Sequence, residues 1–386
     1  MSGRSFNKIN QNSEETERPT YLPGTTLSYR QEAHDRWSKN KPVDRQQDQV
    51  QTFAGWTIGI SSGILAEHIL AHPCIVLRRQ CQVNNNIGGW YHLTPVTLLP
   101  VMYNLQQQQG ITALWKGISS AFLCQGVQMV SETLISEVTP FPKEINRHHT
   151  IKKHVQHLVL KGLAFVVTTP FLVTSLVETV QSDVSSERPG VLNCLTEGVT
   201  RLMGWGMSPT TRLIPIWKLV LPTAVVSLSR YIIIQMARYT VISTIQLEEQ
   251  EKRQASRADD SYIQTASMYD IHFPEMLASF TGGLLADMMQ FPFETVLHRL
   301  YIQGTRTIID NTDSGLDVIP INSSYKGVID CFREIIFEEG FSGLYKGFGA
   351  LLLQYLIHAA ILRLAKFLFH KFSSEFATKR QTLDKL

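Results

Sequence analysis

Apolar and polar positions divide this chain into stretches of two kinds. Six windows carry almost no charge: residues 51–72, 117–136, 158–177, 213–237, 273–293 and 347–365. Each is long enough to cross a hydrocarbon core as a helix. Their formal charges are Glu67 in the first, Glu132 in the second, Lys161 in the third, Lys218 and Arg230 in the fourth, Glu275 and Asp287 in the fifth, and Arg363 in the sixth. Two stretches are the opposite. Residues 1–50 hold 8 basic and 7 acidic side chains, and residues 246–270 hold 9 charges. Segments of that kind bury too little apolar surface to offset their ordering entropy. The pattern predicts a polar N-terminal tail over 1–50, a charged, mobile loop over 246–270, a C-terminal tail over 373–386, and six membrane helices between them.

Small residues inside the windows point the same way. Gly55, Gly59 and Gly63 recur every four residues and share one helix face, and Gly282 and Gly283 sit in the fifth window. In lipid, close approach of backbones at small residues drives helix association. In a water-exposed helix each glycine costs about 1 kcal/mol against alanine.

The chain repeats itself. His72-Pro73-Cys74-Ile75-Val76-Leu77-Arg78 closes the first window, and Phe291-Pro292-Phe293-Glu294-Thr295-Val296-Leu297-His298-Arg299 closes the fifth. Further on, Gly110-Ile111-Thr112-Ala113-Leu114-Trp115-Lys116-Gly117 matches Gly340-Phe341-Ser342-Gly343-Leu344-Tyr345-Lys346-Gly347, and each octet opens an apolar helix. A worn copy lies between: Thr169-Pro170 ends the third window, and Gly190-Val191-Leu192-Asn193-Cys194 echoes Gly327-Val328-Ile329-Asp330-Cys331. A recurrent unit of this length marks a modular fold. The units run over 51–140, 141–245 (degenerate) and 271–372.

Composition narrows the function class. Lys plus Arg is 36 and Asp plus Glu is 33, a net charge of +3, which argues against a nucleic-acid binder. Cys74, Cys81, Cys124, Cys194 and Cys331 are scattered, which fits neither a disulfide framework nor a zinc pattern. The N-terminus lacks an apolar core and carries Glu14, Glu15, Glu17 and Asp35, so it reads as neither a secretory signal nor a cleaved organelle presequence. His148, His149, His154 and His157 are interleaved with Arg147, Lys152 and Lys153 and read as a solvated basic loop. No nucleophile elbow, phosphate loop, dinucleotide or zinc-protease motif occurs, so no enzyme and no cofactor are expected.

The repeated units resemble the mitochondrial carrier (solute carrier 25) family. Its signature is Pro-x-[Asp/Glu]-x-x-[Lys/Arg]-x-[Lys/Arg], a spacer, then [Asp/Glu]-Gly-x(4)-aromatic-[Lys/Arg]-Gly. The resemblance covers about residues 51–372 and implies an all-α membrane protein of six transmembrane helices in three pseudo-repeats, the second degenerate. It implies structural roles for Pro73, Pro292, Arg299, Gly117 and Gly347. It also implies ion pairs between odd helices that gate a central cavity. Here the first acidic site is Ile75, the second is Leu172 with Ser175 at its basic partner site, and the third basic site is Leu297. One family-type bridge is left, Arg78 to Glu294. None of the even windows holds the family's second gate motif, [Phe/Tyr]-[Asp/Glu]-x-x-[Lys/Arg].

The resemblance further implies anionic lipid, typically cardiolipin, at Trp115-Lys116-Gly117, at Tyr345-Lys346-Gly347 and at Tyr325-Lys326-Gly327. Helix N-termini and lysines attract phosphate. A plain helix start with a snorkelling lysine is the competing reading. Residues 72–83, 294–299 and 302–312 narrow the likeness to a divergent branch of the family placed in the mitochondrial outer membrane. What that branch implies is a non-transporting adaptor in fission and fusion balance, cristae organisation and lipid supply. Its partners would be membrane lipid, mitofusins, the inner-membrane fusion GTPase, the cristae-organising complex and contact proteins of the endoplasmic reticulum. A residual solute transporter of the inner membrane is the alternative.

Overall fold

The structure is a computed structural model. It describes residues 69–86, 88–144, 150–182, 195–200, 214–256, 268–305 and 307–383. Gly55, Gly59, Gly63, the Gly190–Cys194 echo and the N-terminal tail lie outside the described residues.

The chain is mostly helical. Its elements are α1 (His72–Val83), α2 (Leu99–Gln109), α3 (Ile118–Val138), α4 (Ile151–Val180), α5 (Ile216–Ser256), α6 (Met268–Ile302), a small hairpin of β1 (Ile308–Asp310) and β2 (Val318–Pro320), α7 (Val328–Glu339) and α8 (Phe348–Leu383). Short 3-10 turns, Ile111–Trp115 and Phe341–Tyr345, precede α3 and α8. Among the described residues, three stretches are long and apolar enough to cross a membrane: Ile151–Val180, Ile216–Glu248 and Phe341–Phe367.

The helices pack in chain order: α3 on α4, α4 on α5, α5 on α6, α6 on α8, and α8 back on α1. In addition α1, α4 and α6 touch one another pairwise. Their meeting point is the main apolar core, where Val83, Val173, Leu176, Val180, Val296, Leu297, Leu300 and Ile302 pack together with Ile309 of the hairpin. On α5 the outer face is a stripe of exposed Trp217, Leu221, Val225, Ile232, Met236 and Tyr239. Spacings of three, four and seven residues put these side chains on one side of the helix. On a helix long enough to span a membrane, such a face suits lipid.

Two expectations change. Pro170 and Pro292 do not end their helices; both lie inside continuous helices, α4 and α6. Proline removes one backbone donor but neighbouring packing carries the helix past it. Pro73 is different: it sits in the first turn of α1, where its missing N–H would have no intrahelical partner, and the nearby Ile69 carbonyl accepts the Trp115 indole N–H at 2.9 Å. Pro222 likewise sits within α5 without breaking it. Second, residues 246–256, expected within a charged loop, continue α5 as helix, while 257–267 lie outside the described residues. At 41 residues α5 is about 61 Å long, well beyond the ~30 Å hydrocarbon core, so its charged end stands in water.

The fifth-window glycines do pack closely. A Cβ on Gly282 would lie 3.1 Å from the Ile234 carbonyl oxygen of α5, and one on Gly283 would lie 3.0 Å from the Tyr355 hydroxyl. Gly282→Val must therefore push α5 from α6. The expected loss is about 1–3 kcal/mol, read as a lower melting temperature in detergent. An unchanged melting temperature would show that the contact is not tight.

Candidate functional site

The site is the end of the helix set where α1, α4 and α6 converge. Arg78 of α1 reaches Glu294 of α6, Nη2 to Oε1 at 3.2 Å, so the geometry brings together the pair singled out in the sequence. Asp287 stands 3.8 Å from Arg78 and His298 3.8 Å from Glu294, while the neighbouring signature positions are apolar or neutral. Leu297 is buried in the core with Val173 and Leu176, and Ser175 accepts the Ser120 hydroxyl at 3.1 Å. Where the family signature calls for cations, this chain has a hydrocarbon side chain and a hydroxyl.

Further into the helix set is a second cluster that sequence reading named only as isolated charges. Arg230 of α5 donates to Asp287 Oδ1 from Nε at 2.8 Å and from Nη2 at 2.6 Å. The Tyr355 hydroxyl of α8 donates to the other oxygen at 2.8 Å, and Arg78 stands 3.8 Å away. Asp287 thus ties four helices, α1, α5, α6 and α8. It could have been found as an acid and a base at the middle of consecutive charge-poor windows. Glu132 of α3 pairs with Lys161 of α4 at 2.7 Å in the same manner.

The motif residues of the third unit form a closed ionic knot. Arg299 donates to both Glu339 oxygens, at 2.5 and 3.0 Å. Its Nε donates to the Gln82 carbonyl at 3.0 Å and its Nη2 to the Asn84 carbonyl at 3.3 Å. Lys346 meets Glu339 at 3.0 Å and donates to the carbonyls of Asn84 and Asn86, each at 3.0 Å. All three side chains are at least 98% buried. Such a knot holds only while every member is paired.

These contacts give both lysine ammonium groups partners inside the protein. Lys346 is spent inside the protein. Lys116 is too: its ammonium lies 3.1 Å from Asp310 and donates to Gln109 Oε1 at 2.9 Å and to the Gln181 carbonyl at 3.3 Å. Gly117 and Gly347 also have internal reasons. Both have left-handed backbones, φ 67° and 82°, and both lie against a neighbouring helix, Thr179 of α4 and Cys81 of α1 respectively. Tyr345 stacks on Phe291 with ring centroids 5.8 Å apart. Tyr325 is buried, its N–H donating to Gln303 Oε1 at 2.8 Å, and burial pushes its hydroxyl up to about 12. Gly327 caps α7.

Across the converging ends runs the hairpin, the largest feature that sequence reading missed. Asp310 accepts from Gln80 at 3.1 Å, from Gln109 at 2.8 Å and from Lys116. Gln181 bridges Ile309, and the Ser182 N–H donates to the Ile308 carbonyl at 2.9 Å. Asn84 donates to Thr312 at 2.8 Å, and Asn86 and the Trp90 N–H donate to Asp313 at 2.9 and 2.8 Å. The Thr312 carbonyl accepts from His92 Nε2 at 3.0 Å, which fixes the imidazole tautomer. Burial holds His92 below its ordinary pKa, so the imidazole that makes this contact is the neutral form. A signal for the hairpin exists in the spacing. Pro73 to Gly117 is 44 residues, but Pro292 to Gly347 is 55. The excess is β-branched residues flanking Asn-Thr-Asp-Ser-Gly, the composition of a hairpin turn. Among the described residues no cluster of histidine, cysteine or acid could hold a metal.

Paired odd helices, proline-marked units and the aromatic-Lys-Gly turns together define a carrier-type membrane protein. The family model described as "Mitochondrial carrier protein" matches residues 48–139 and 272–376. The chain belongs to the mitochondrial carrier family. Within it, similar proteins are "Mitochondrial outer membrane protein SLC25A46" of Danio rerio, 44% identical over 377 residues, covering 95% of this chain and 92% of the relative. The protein of the same name in Homo sapiens is 43% identical over 354 residues (91% and 83%), and that of Gallus gallus is 46% identical over 322 residues (83% and 78%). The chain is a multi-pass protein of the mitochondrial outer membrane.

Proposed function

We propose that this chain is a carrier-derived scaffold that moves no solute: six spans in three pseudo-repeats, the second degenerate, fixed in one state. The observation that carries the reading is the converging end. A transport gate has to break and remake its inter-helix contacts in each cycle, and so needs pairs of balanced strength. Here, among the described residues, the ion pair Arg78–Glu294, with Asp287 3.8 Å from Arg78, stands beside an apolar core built from α1, α4 and α6 and covered by a hairpin. Opening that end would expose Leu297, Leu300 and Ile309 together. Exposing them costs about 1.5–3 kcal/mol per large apolar side chain. On the other side the even windows lack the family's second gate motif, and the inter-helix pairs described there, Glu132–Lys161 and Arg238–Glu275, do not follow it.

A fixed body in the outer membrane suits an adaptor. In this reading it supports fission and fusion balance, cristae organisation and lipid supply through its outer surfaces, with mitofusins, the inner-membrane fusion GTPase, the cristae-organising complex and endoplasmic-reticulum contact proteins as partners. Lipid contact would run through outer apolar faces such as that of α5, not through Lys116 or Lys346. The full chain, purified and reconstituted in liposomes, tests the proposal. Counter-exchange of a panel of labelled nucleotides, carboxylates and amino acids should stay at the protein-free rate. Saturable exchange of any of them would overturn the scaffold and favour the residual transporter.

A further inference from the structure

We propose that the hairpin Ile308–Pro320 is a built-in strap that locks the converging end, with Asp310 standing in for a carboxylate that the first unit has lost. Register comparison makes the substitution visible. Counting from the marker proline, Arg299 is seven residues after Pro292 and Gln80 is seven after Pro73. Counting back from the Lys-Gly turn, Glu339 corresponds to Gln109, and Lys346 to Lys116. In the third unit the three positions form the Arg299–Glu339–Lys346 knot. In the first unit they are Gln80, Gln109 and Lys116, two amides and one buried cation with no acid among them. Asp310 enters from outside the unit and bonds all three. Its side chain is 97% buried, so this is a filled place in the core and no surface contact.

The same thirteen residues reach three parts of the chain. They leave from α6, bond the end of α4 through Gln181 and Ser182, and bond the loop after α1 through Asn84, Asn86, Trp90 and His92. Helices tied in this way cannot part without breaking a buried carboxylate's contacts. The strap concerns the stiffness of this end, and it stands whether or not the intact chain proves to carry a solute.

The test reads the native thiol of Cys81, which is buried in α1 and lies against the Thr312 side chain. The hairpin ends meet, with the Ile321 N–H donating to the Thr307 carbonyl at 3.2 Å, so two glycines can replace residues 308–320. In the full chain in liposomes, maleimide labelling of Cys81, read by peptide mass spectrometry, should rise at least about tenfold on excision, the signature of a 1.4 kcal/mol shift toward an open end. Cys74, also buried in α1 but nearer its start, should change little. Labelling of Cys81 within about twofold of the intact chain, in an excised protein that still melts cooperatively, would overturn the strap. If the excised chain does not fold, Asp310→Asn decides. A Cys81-selective rise supports the strap, and an unchanged rate refutes it.

Discussion

Glu339→Gln is expected to cost about 3–5 kcal/mol, the scale for breaking a buried ion pair by removing one partner. Glu339 is the carboxylate that pairs with both Arg299 and Lys346, and all three are sealed from water. Glutamine keeps the shape and leaves two buried cations facing each other. Arg299→Ala should cost less, because Glu339 keeps Lys346 at 3.0 Å as a partner. The order of effects therefore distinguishes a charge-balanced knot from general packing. Thermal unfolding in detergent gives the order, and abundance in cells should follow it. A Glu339→Gln protein as stable as the parent would show that the carboxylate is not needed.

Gly347→Ala should be the next most damaging change, at about 2–5 kcal/mol. Two costs add. A residue with a Cβ loses roughly 1–2 kcal/mol in the left-handed region that φ 82° requires. The added methyl would then stand 2.7 Å from the Cys81 Cβ and 3.2 Å from the Arg78 carbonyl oxygen, a backbone atom that cannot swing away. Overpacking of that kind costs about 1–3 kcal/mol. Gly88→Ala is the internal control. Its φ is 84°, but no atom lies within 4 Å of the added methyl, so it carries the backbone cost alone. If the two variants lose equal stability, the even helix does not press on α1 as described.

Much of the fold could be read from the chain, because its causes are local. Charge-poor windows report helices, and the paired octets report the turns that start α3 and α8. The Arg78–Glu294 pair could be inferred because the family signature places both residues at fixed offsets from a proline. Three things resisted reading for physical reasons. The prolines looked like helix ends, since proline's local preference says stop; packing in α4 and α6 overrides it. Lys116 and Lys346 looked like surface charges at helix starts, because their acids, Asp310 and Glu339, lie 194 and 7 residues away and only folding shows which carboxylate each takes. The hairpin left a trace, the eleven-residue excess in the third unit, but its role depends on contacts from Gln80, Gln109 and Gln181, which no periodicity links.

Spin labels report most directly on whether the converging end has a single conformation. Gln107 on α2 and Ile329 on α7 are both exposed and sit in the first and third units at this end. Cysteines at these two positions, in a Cys194→Ser background, allow their separation to be measured by pulsed electron paramagnetic resonance in liposomes. The fixed scaffold predicts one narrow distance, the same with and without a mixture of mitochondrial metabolites. A second, longer distance whose share grows when metabolites are added would contradict it.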